Sequence, residues 1–218
     1  MLAGCLFDLD GVLVDTARHH FVAWKRLAEE QLNVAFTQED NEALKGLSRV
    51  ESIDYILSKS TTSATPEQKL EWMAMKNQWY LEAVKSITPT DLLPGALLLL
   101  QSLKVEGIPA ALGSASKNAP MIIEQLHIAS YLSAVVDGNV VTLSKPHPAV
   151  FLKGAELLEI DPAHTVVFED AQSGVQAAKA GGFYCVGIGE ANHLSGADEV
   201  VPDLSFITIE KLKNWLNN

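Results

Sequence analysis

The sequence predicts an α/β protein: a parallel-sheet core domain with a second, all-helical domain inserted after its first strand. Three observations predict it. After residue 88, short apolar runs alternate with helix-period segments, the pattern of strands joined by crossover helices. Those runs are continuously apolar, as strands covered on both faces should be. Between the first apolar run and this alternation, residues 17–87 carry helical patterns and no convincing strand.

Taken in order, residues 3–7 (AGCLF) form an apolar run that ends in Asp8-Leu9-Asp10-Gly11, a strand leading into a turn. Residues 17–31 carry Phe21, Trp24, Leu27 and Ala28 at helical spacing. Shorter helices are expected over 38–44 and 50–57. A long one is expected from Pro66, a suitable first-turn residue, to about 86. Expected strands at 108–112, 134–136, 165–168, 184–188 and 199–201 alternate with helices at 95–105, 119–127, 148–159 and 173–180, and a last helix covers 209–216. The core is therefore expected at 1–15 and 89–218 and the helical cap at 16–88, on two links near Asp15-Thr16 and Thr88-Pro89. A helical lid on paired links suggests hinged closure.

Composition narrows the function classes. A net charge of −11 disfavours nonspecific nucleic-acid binding, and the chain has only three arginines, Arg18, Arg26 and Arg49. An anionic substrate would need a locally positive pocket in this acidic protein. Cys5 and Cys185 sit inside apolar runs and read as small buried hydrophobes. No apolar run reaches transmembrane length, and the acidic FDLD motif falls where the apolar stretch of a signal peptide would lie. A reduced, cytoplasmic protein without membrane partners is expected.

Four motifs close four predicted core strands. They are Asp8-Leu9-Asp10-Gly11, Gly113-Ser114-Ala115-Ser116-Lys117-Asn118, Ser144-Lys145-Pro146 and Glu169-Asp170. In a parallel sheet the C-terminal strand ends share one edge, so these groups converge there. Carboxylates with a phosphate complete the oxygen shell that Mg²⁺ prefers. Ser114 can donate to phosphoryl oxygens, Lys145 neutralises charge developing on them, and Asp8 could attack phosphorus or hold a metal while Asp10 handles a proton. Each motif also has an ordinary reading. DLDG is a common turn, Ser114 and Asn118 suit helix caps, Lys145 suits a solvated surface, and Glu169-Asp170 suits a helix N-terminus. Four such coincidences in this order are much less expected than one site.

The ordered set DLDGVLVDT, SAS, SKP and ED resembles the haloacid dehalogenase superfamily over essentially the whole chain. The resemblance implies a Rossmann-like core, Mg²⁺, a nucleophile at Asp8 and a general acid/base at Asp10. It also implies metal ligands at Asp8, Asp10 (including its backbone carbonyl), Glu169 and Asp170. The stretches DTARHHFVAWK, LKGLSR, MKN and SASKN narrow it to the β-phosphoglucomutase family. That family accommodates two phosphates. Arg49 beside Gly46 suits the distal one, with Ser116, Lys117 and Asn118 closing from the core; His20 helps orient Asp10, and Trp24 and Lys76 complete the substrate-facing cap set. Trp72 and Trp79 are assigned mainly to cap packing, as is part of the role of Trp24.

The implied activity is interconversion of β-glucose 1-phosphate and glucose 6-phosphate through an aspartyl phosphate and a sugar bisphosphate, by a protein expected to be a monomer. A sugar-phosphate phosphatase on the same scaffold is the alternative, since motif residues barely encode whether water or sugar receives the phosphoryl group. A non-catalytic sugar-phosphate sensor is a third, opposed by the intact Asp8, Asp10, Lys145 and Asp170 set. Two departures from the family pattern stand out. SKPHPAVF has His147 and Ala149 where a small residue and an aspartate are usual, and the loop DGNVVTLSKP differs from that of the mutases.

Overall fold

The computed structural model describes residues 2–216. The chain forms two compact units, Met1–Asp15 with Ile87–Asn218, and Thr16–Ser86. The first link falls at Asp15/Thr16; the second lies two residues before the boundary expected from sequence.

The first unit is built on a six-stranded sheet comprising β1 (Gly4–Phe7), β2 (Ala110–Gly113), β3 (Ala134–Val136), β4 (Thr165–Glu169), β5 (Tyr184–Ile188) and β6 (Glu199–Val201). The order is β3-β2-β1-β4-β5-β6 and every pairing is parallel. The interior strands β1, β2 and β4 are buried at every residue, which is why they read as uninterrupted apolar runs. The edge strands β3 and β6 are only partly covered. Helices α5 (Ala96–Val105), α6 (Ala119–Gln125), α7 (Ala149–Leu158), α8 (Gln172–Ala180) and α9 (Ile209–Trp215) belong to the same unit. Its core gathers Leu6, Ala111, Phe151, Val167, Val175 and Phe183, all nearly or fully buried.

The chain builds outward from β1 through β2 to β3, then returns across the sheet to place β4 on the other side of β1. That reversal is the topological switch point where open α/β sheets bind ligands. Register sets what meets there. Phe7 pairs with Leu112 on one side and Phe168 on the other, so Asp8, Gly113 and Glu169 emerge at one level.

The second unit consists of α1 (Ala17–Leu32), α2 (Gln38–Ala43), α3 (Arg49–Ser58) and α4 (Pro66–Val84) around its own apolar core, which includes Trp24, Leu27, Phe36, Ile53, Ile56 and Trp72. Local chemistry fixes its helix starts. Thr37, Ser48 and Thr65 each form a reciprocal capping box, with Asp40, Glu51 and Gln68, and Pro66 takes the first turn of α4. Among the described residues no helix is long and apolar enough to cross a membrane.

Candidate active site

In the first unit, Lys145 is the centre of the site. It is 2% exposed, so the surface-lysine reading does not hold. An ammonium has three hydrogens and no acceptor. Lys145 Nζ donates to Asp8 Oδ1 at 2.5 Å, to the Gly113 carbonyl at 3.2 Å and to Glu169 Oε1. Its ammonium also lies 4.7 Å from the centre of the Phe151 ring. Burial alone would favour the neutral amine; the Asp8 and Glu169 carboxylates overcome it and raise the pKa of Lys145. The lysine therefore stays cationic and ties three strand ends together: Asp8 after β1, Gly113 in β2 and Glu169 in β4.

The loop after β1 is short and closed. Gly11 N–H donates to Val14 O at 2.8 Å, and Leu13 N–H and Val14 N–H both donate to Leu9 O. Gly11 has φ +78°, and a Cβ there would run into the Asp170 carboxylate. Only glycine meets both demands, so Gly11 lets the Asp170 carboxylate lie directly against the loop that carries Asp8 and Asp10.

Glu169 departs from expectation. It is the last residue of β4, not the first after it, so its side chain and that of Asp170 leave the chain on opposite sides. Glu169 Oε1 accepts from Lys145 and Oε2 from Ala171 N–H at 3.1 Å. Expected from sequence among the metal ligands, it here faces Lys145 and the Ala171 amide. Burial pushes its carboxyl pKa up, Lys145 opposes that, and Asp8 and Asp170 add to the rise.

The donor set can be tested for a divalent cation. Among the described residues no group of three or more His, Cys, Asp or Glu side chains could hold a metal. Mg²⁺ does not need such a cage, because it keeps several waters and commonly binds one or two carboxylates together with substrate phosphate. Asp8, whose Oδ2 has no hydrogen-bond partner among the described residues, and Asp170 provide two hard carboxylates at one loop. The oxygen-only character of the set fits Mg²⁺.

The loop after β2 presents Ser114 through Asn118. Ser114 is 3% exposed; its Oγ accepts from Ser116 N–H at 3.1 Å, and Ser116 Oγ accepts from Asn118 N–H at 3.3 Å. With an acceptor position used on each hydroxyl, both O–H groups can be donated to phosphoryl oxygens. Asn118 stands at the start of α6 without a side-chain cap bond, so capping does not explain its presence. Ala115 and Lys117 complete this loop, Lys117 exposed and Ala115 half-buried. His147, one of the departures noted in sequence, accepts from Ala149 N–H through Nδ1 at 3.2 Å. It supplies a side-chain acceptor at the start of α7, whose N-cap Pro148 makes no side-chain cap bond.

The second unit holds its own polar cluster. Gly46, at φ +78°, turns the chain between α2 and α3, and the Ser48 capping box then sets Arg49 at the first position of α3. Arg49 Nη2 donates to Asn77 Oδ1 at 2.7 Å, and no carboxylate among the described residues lies within ion-pair distance of it. Burial lowers its pKa. Lys76 is 3% exposed. Its ammonium lies 4.7 Å from the Trp24 ring centre and 4.9 Å from that of Tyr80, and 2.7 Å from His20 Nδ1. The Tyr80 ring lies tilted by 35° against His20, centroids 4.1 Å apart, and Tyr80 donates to Thr16 Oγ1 at 3.2 Å. Asn77, Tyr80 and Thr16 were not singled out from sequence. Tyr80 was within reach, since it lies four residues after Lys76 and so on the same face of α4.

Because an ammonium only donates, His20 Nδ1 must accept, and the ring carries its proton on Nε2. Burial first, then Lys76, Arg49 and His19, hold the His20 pKa well below the usual 6.5. Folded His20 is neutral where the unfolded residue takes up a proton, so acid favours unfolding through it. The unfolding free energy of the protein is expected to fall between about pH 7.5 and 5.5 more steeply than that of His20→Gln, by at most about 1.4 kcal/mol per pH unit. Equal slopes would refute the neutral-histidine assignment.

Three comparisons bear on this geometry. The profile of the haloacid dehalogenase-like hydrolase family matches residues 5–188. A β-phosphoglucomutase of Bacillus subtilis (strain 168) is 43% identical over 213 residues, covering 96% of this chain and 94% of its own. The crystal structure of β-phosphoglucomutase from Clostridium difficile superposes with a TM-score of 0.94 at 34% identity, covering 100% of this chain and 98% of that one. A phosphorylated carbohydrates phosphatase of Thermotoga maritima is 29% identical, covering 81% of this chain and 80% of its own.

Proposed function

This chain belongs to the haloacid dehalogenase-like hydrolase family, and from that premise we propose that it is a β-phosphoglucomutase-type phosphotransferase that interconverts β-glucose 1-phosphate and glucose 6-phosphate. The reaction passes through an aspartyl phosphate at Asp8 and a glucose bisphosphate. One observation carries the mutase reading over simple hydrolysis. Besides the Asp8–Lys145 centre, the chain holds a second cation suited to phosphate, Arg49, which is partly buried and held by a neutral amide where a carboxylate would compete with an anion. A phosphatase acting on one phosphoryl group has no use for it.

In this mechanism the Asp8 carboxylate attacks phosphorus while Lys145, bonded to its Oδ1, neutralises charge gathering on the phosphoryl oxygens. Ser114 donates its O–H to the same group. Asp10 removes the proton from the sugar hydroxyl that receives the phosphoryl group of phosphorylated Asp8, and later protonates the leaving sugar oxygen when the Asp8 carboxylate takes the other phosphoryl group from the bisphosphate. Ser116, Lys117 and Asn118 are the first unit's groups suited to a second phosphate; Arg49 is the second unit's, where His20, Trp24, Lys76 and the Gly46 turn are its substrate-binding set. Asp8, Asp170 and the Asp10 carbonyl, with Glu169 beside them, would hold Mg²⁺, which would offset repulsion between the carboxylate nucleophile and the phosphoryl group. The buried, unpaired Cys5 and Cys185 fit a cytoplasmic enzyme.

The deciding experiment supplies β-glucose 1-phosphate, Mg²⁺ and a catalytic amount of glucose 1,6-bisphosphate, and follows glucose 6-phosphate against released inorganic phosphate. Glucose 6-phosphate should dominate. Stoichiometric inorganic phosphate without it would replace the mutase by the sugar-phosphate phosphatase. Arg49→Ala is expected to lower mutase kcat/KM by about 10²-fold while hydrolysis of acetyl phosphate changes by less than about threefold. Equal losses would assign Arg49 a general structural role.

A further inference from the structure

The loop that departs from the mutase pattern, DGNVVTLSKP, begins with a tightly built turn. The Asp137 carboxylate, 4% exposed, accepts from Asn139 N–H at 2.8 Å, from Val140 N–H at 3.2 Å and from Asn139 Nδ2 at 3.0 Å. A side-chain amide has two N–H hydrogens. The other one of Asn139 goes across to the Lys117 carbonyl, at 3.2 Å. Gly138 brings the two loops together, for a Cβ there would collide with the Ala115 carbonyl oxygen and stand 3.1 Å from Lys117 Cγ. The turn after β3 thus rests backbone against backbone on the 114–118 loop after β2 and holds one of its peptide groups by a hydrogen bond.

We infer that Asn139, seated by Asp137 and Gly138, is a positioning residue for the second-phosphate grip: it fixes the Lys117 peptide and through it the direction of Ser116 and Asn118. The inference rests on the mutase reading above, because only a two-phosphate substrate needs that part of the loop. Inside the loop, the two serine hydroxyls receive the amides of Ser116 and Asn118. Neither of these bonds restrains the Lys117 carbonyl, which is held from outside by Asn139. Ser114 stands apart from this brace, tied to β3 by its own N–H donating to Val136 O at 2.9 Å. Loss of Asn139 therefore loosens the distal end of the loop and leaves the end beside Asp8 in place.

Asn139 is exposed, so substitutions there are compatible with folding, and a Tm measurement checks it. Asn139→Ala and the near-isosteric Asn139→Asp, which keeps the shape and removes both N–H donors, are compared with the unsubstituted enzyme. Both should raise KM for glucose 1,6-bisphosphate, and its Kd by titration, about fivefold, with kcat and acetyl phosphate hydrolysis within about twofold. An unchanged bisphosphate Kd, or equal losses on both substrates, overturns the inference. Retention of affinity by Asn139→Asp alone would also overturn it, by making shape and not donation the cause. If the unsubstituted chain releases phosphate and forms no glucose 6-phosphate, the mutase reading fails, and the titration still decides what Asn139 does.

Discussion

Asp8→Asn is expected to lower mutase turnover by at least about four orders of magnitude and to abolish the acid-stable, alkali-labile phosphoenzyme. The substitution changes a single group at the end of β1. An amide oxygen is a poor nucleophile, and phosphorylating it would form a high-energy cationic imidate. The consequence for folding should be small by comparison. Asn retains an oxygen to accept from Lys145, and Glu169 still provides that lysine with a carboxylate. A nearly unchanged Tm with lost turnover would separate chemistry from stability. Near-normal turnover in the variant would remove Asp8 from the role of nucleophile. Glucose 1,6-bisphosphate binding by the variant should survive, since Ser116, Asn118 and Arg49 are untouched.

The fold was legible because its signals are local. Apolar runs with helix-period segments between them identify parallel strands, and Pro66 marks a helix start that the Thr65–Gln68 capping box fixes through bonds made within three residues. Boundaries slipped where a local signal was ambiguous: β2 begins at Ala110, just after Pro109, where an apolar run from 108 suggested an earlier start. The order of DLDG, SAS, SKP and ED was equally readable, since parallel pairing sends every strand end to one edge. Side-chain roles that depend on distant partners were not. Whether Glu169 joins Asp170 or faces away from it depends on where β4 stops, and the chain has its lysine partner 24 residues earlier. Lys76 shares a 19-residue helix with Lys69, and its burial comes from Trp24 and Tyr80 meeting over it. Asn139 acts on a carbonyl 22 residues away. The loop was noticed only as a departure, and its meaning is a contact no pattern in the sequence prints.

Lys145→Met is expected to cost both stability and activity, and a second substitution can tell the two losses apart. Met keeps an unbranched stem of similar length against Phe151, so the change removes the charge and three hydrogen bonds without opening a large cavity. Asp8 and Glu169 are then left as buried like charges with no cation between them. Removing one member of a buried ion pair typically costs about 3–5 kcal/mol, enough to lower Tm markedly. Turnover should fall by about 10²- to 10³-fold, the scale for losing one group that stabilises charge in the transition state. Adding Glu169→Gln to Lys145→Met removes one of the two stranded charges while retaining an oxygen for Ala171 N–H. Thermal stability should recover in part, because the energetic fault of the single variant is an unpaired buried charge. Turnover should not recover, because no cation is returned to Asp8 or to the phosphoryl oxygens. A double variant that regains activity in proportion to Tm would show that Lys145 acts by holding the strand ends together; recovery of Tm alone places its charge in the chemistry.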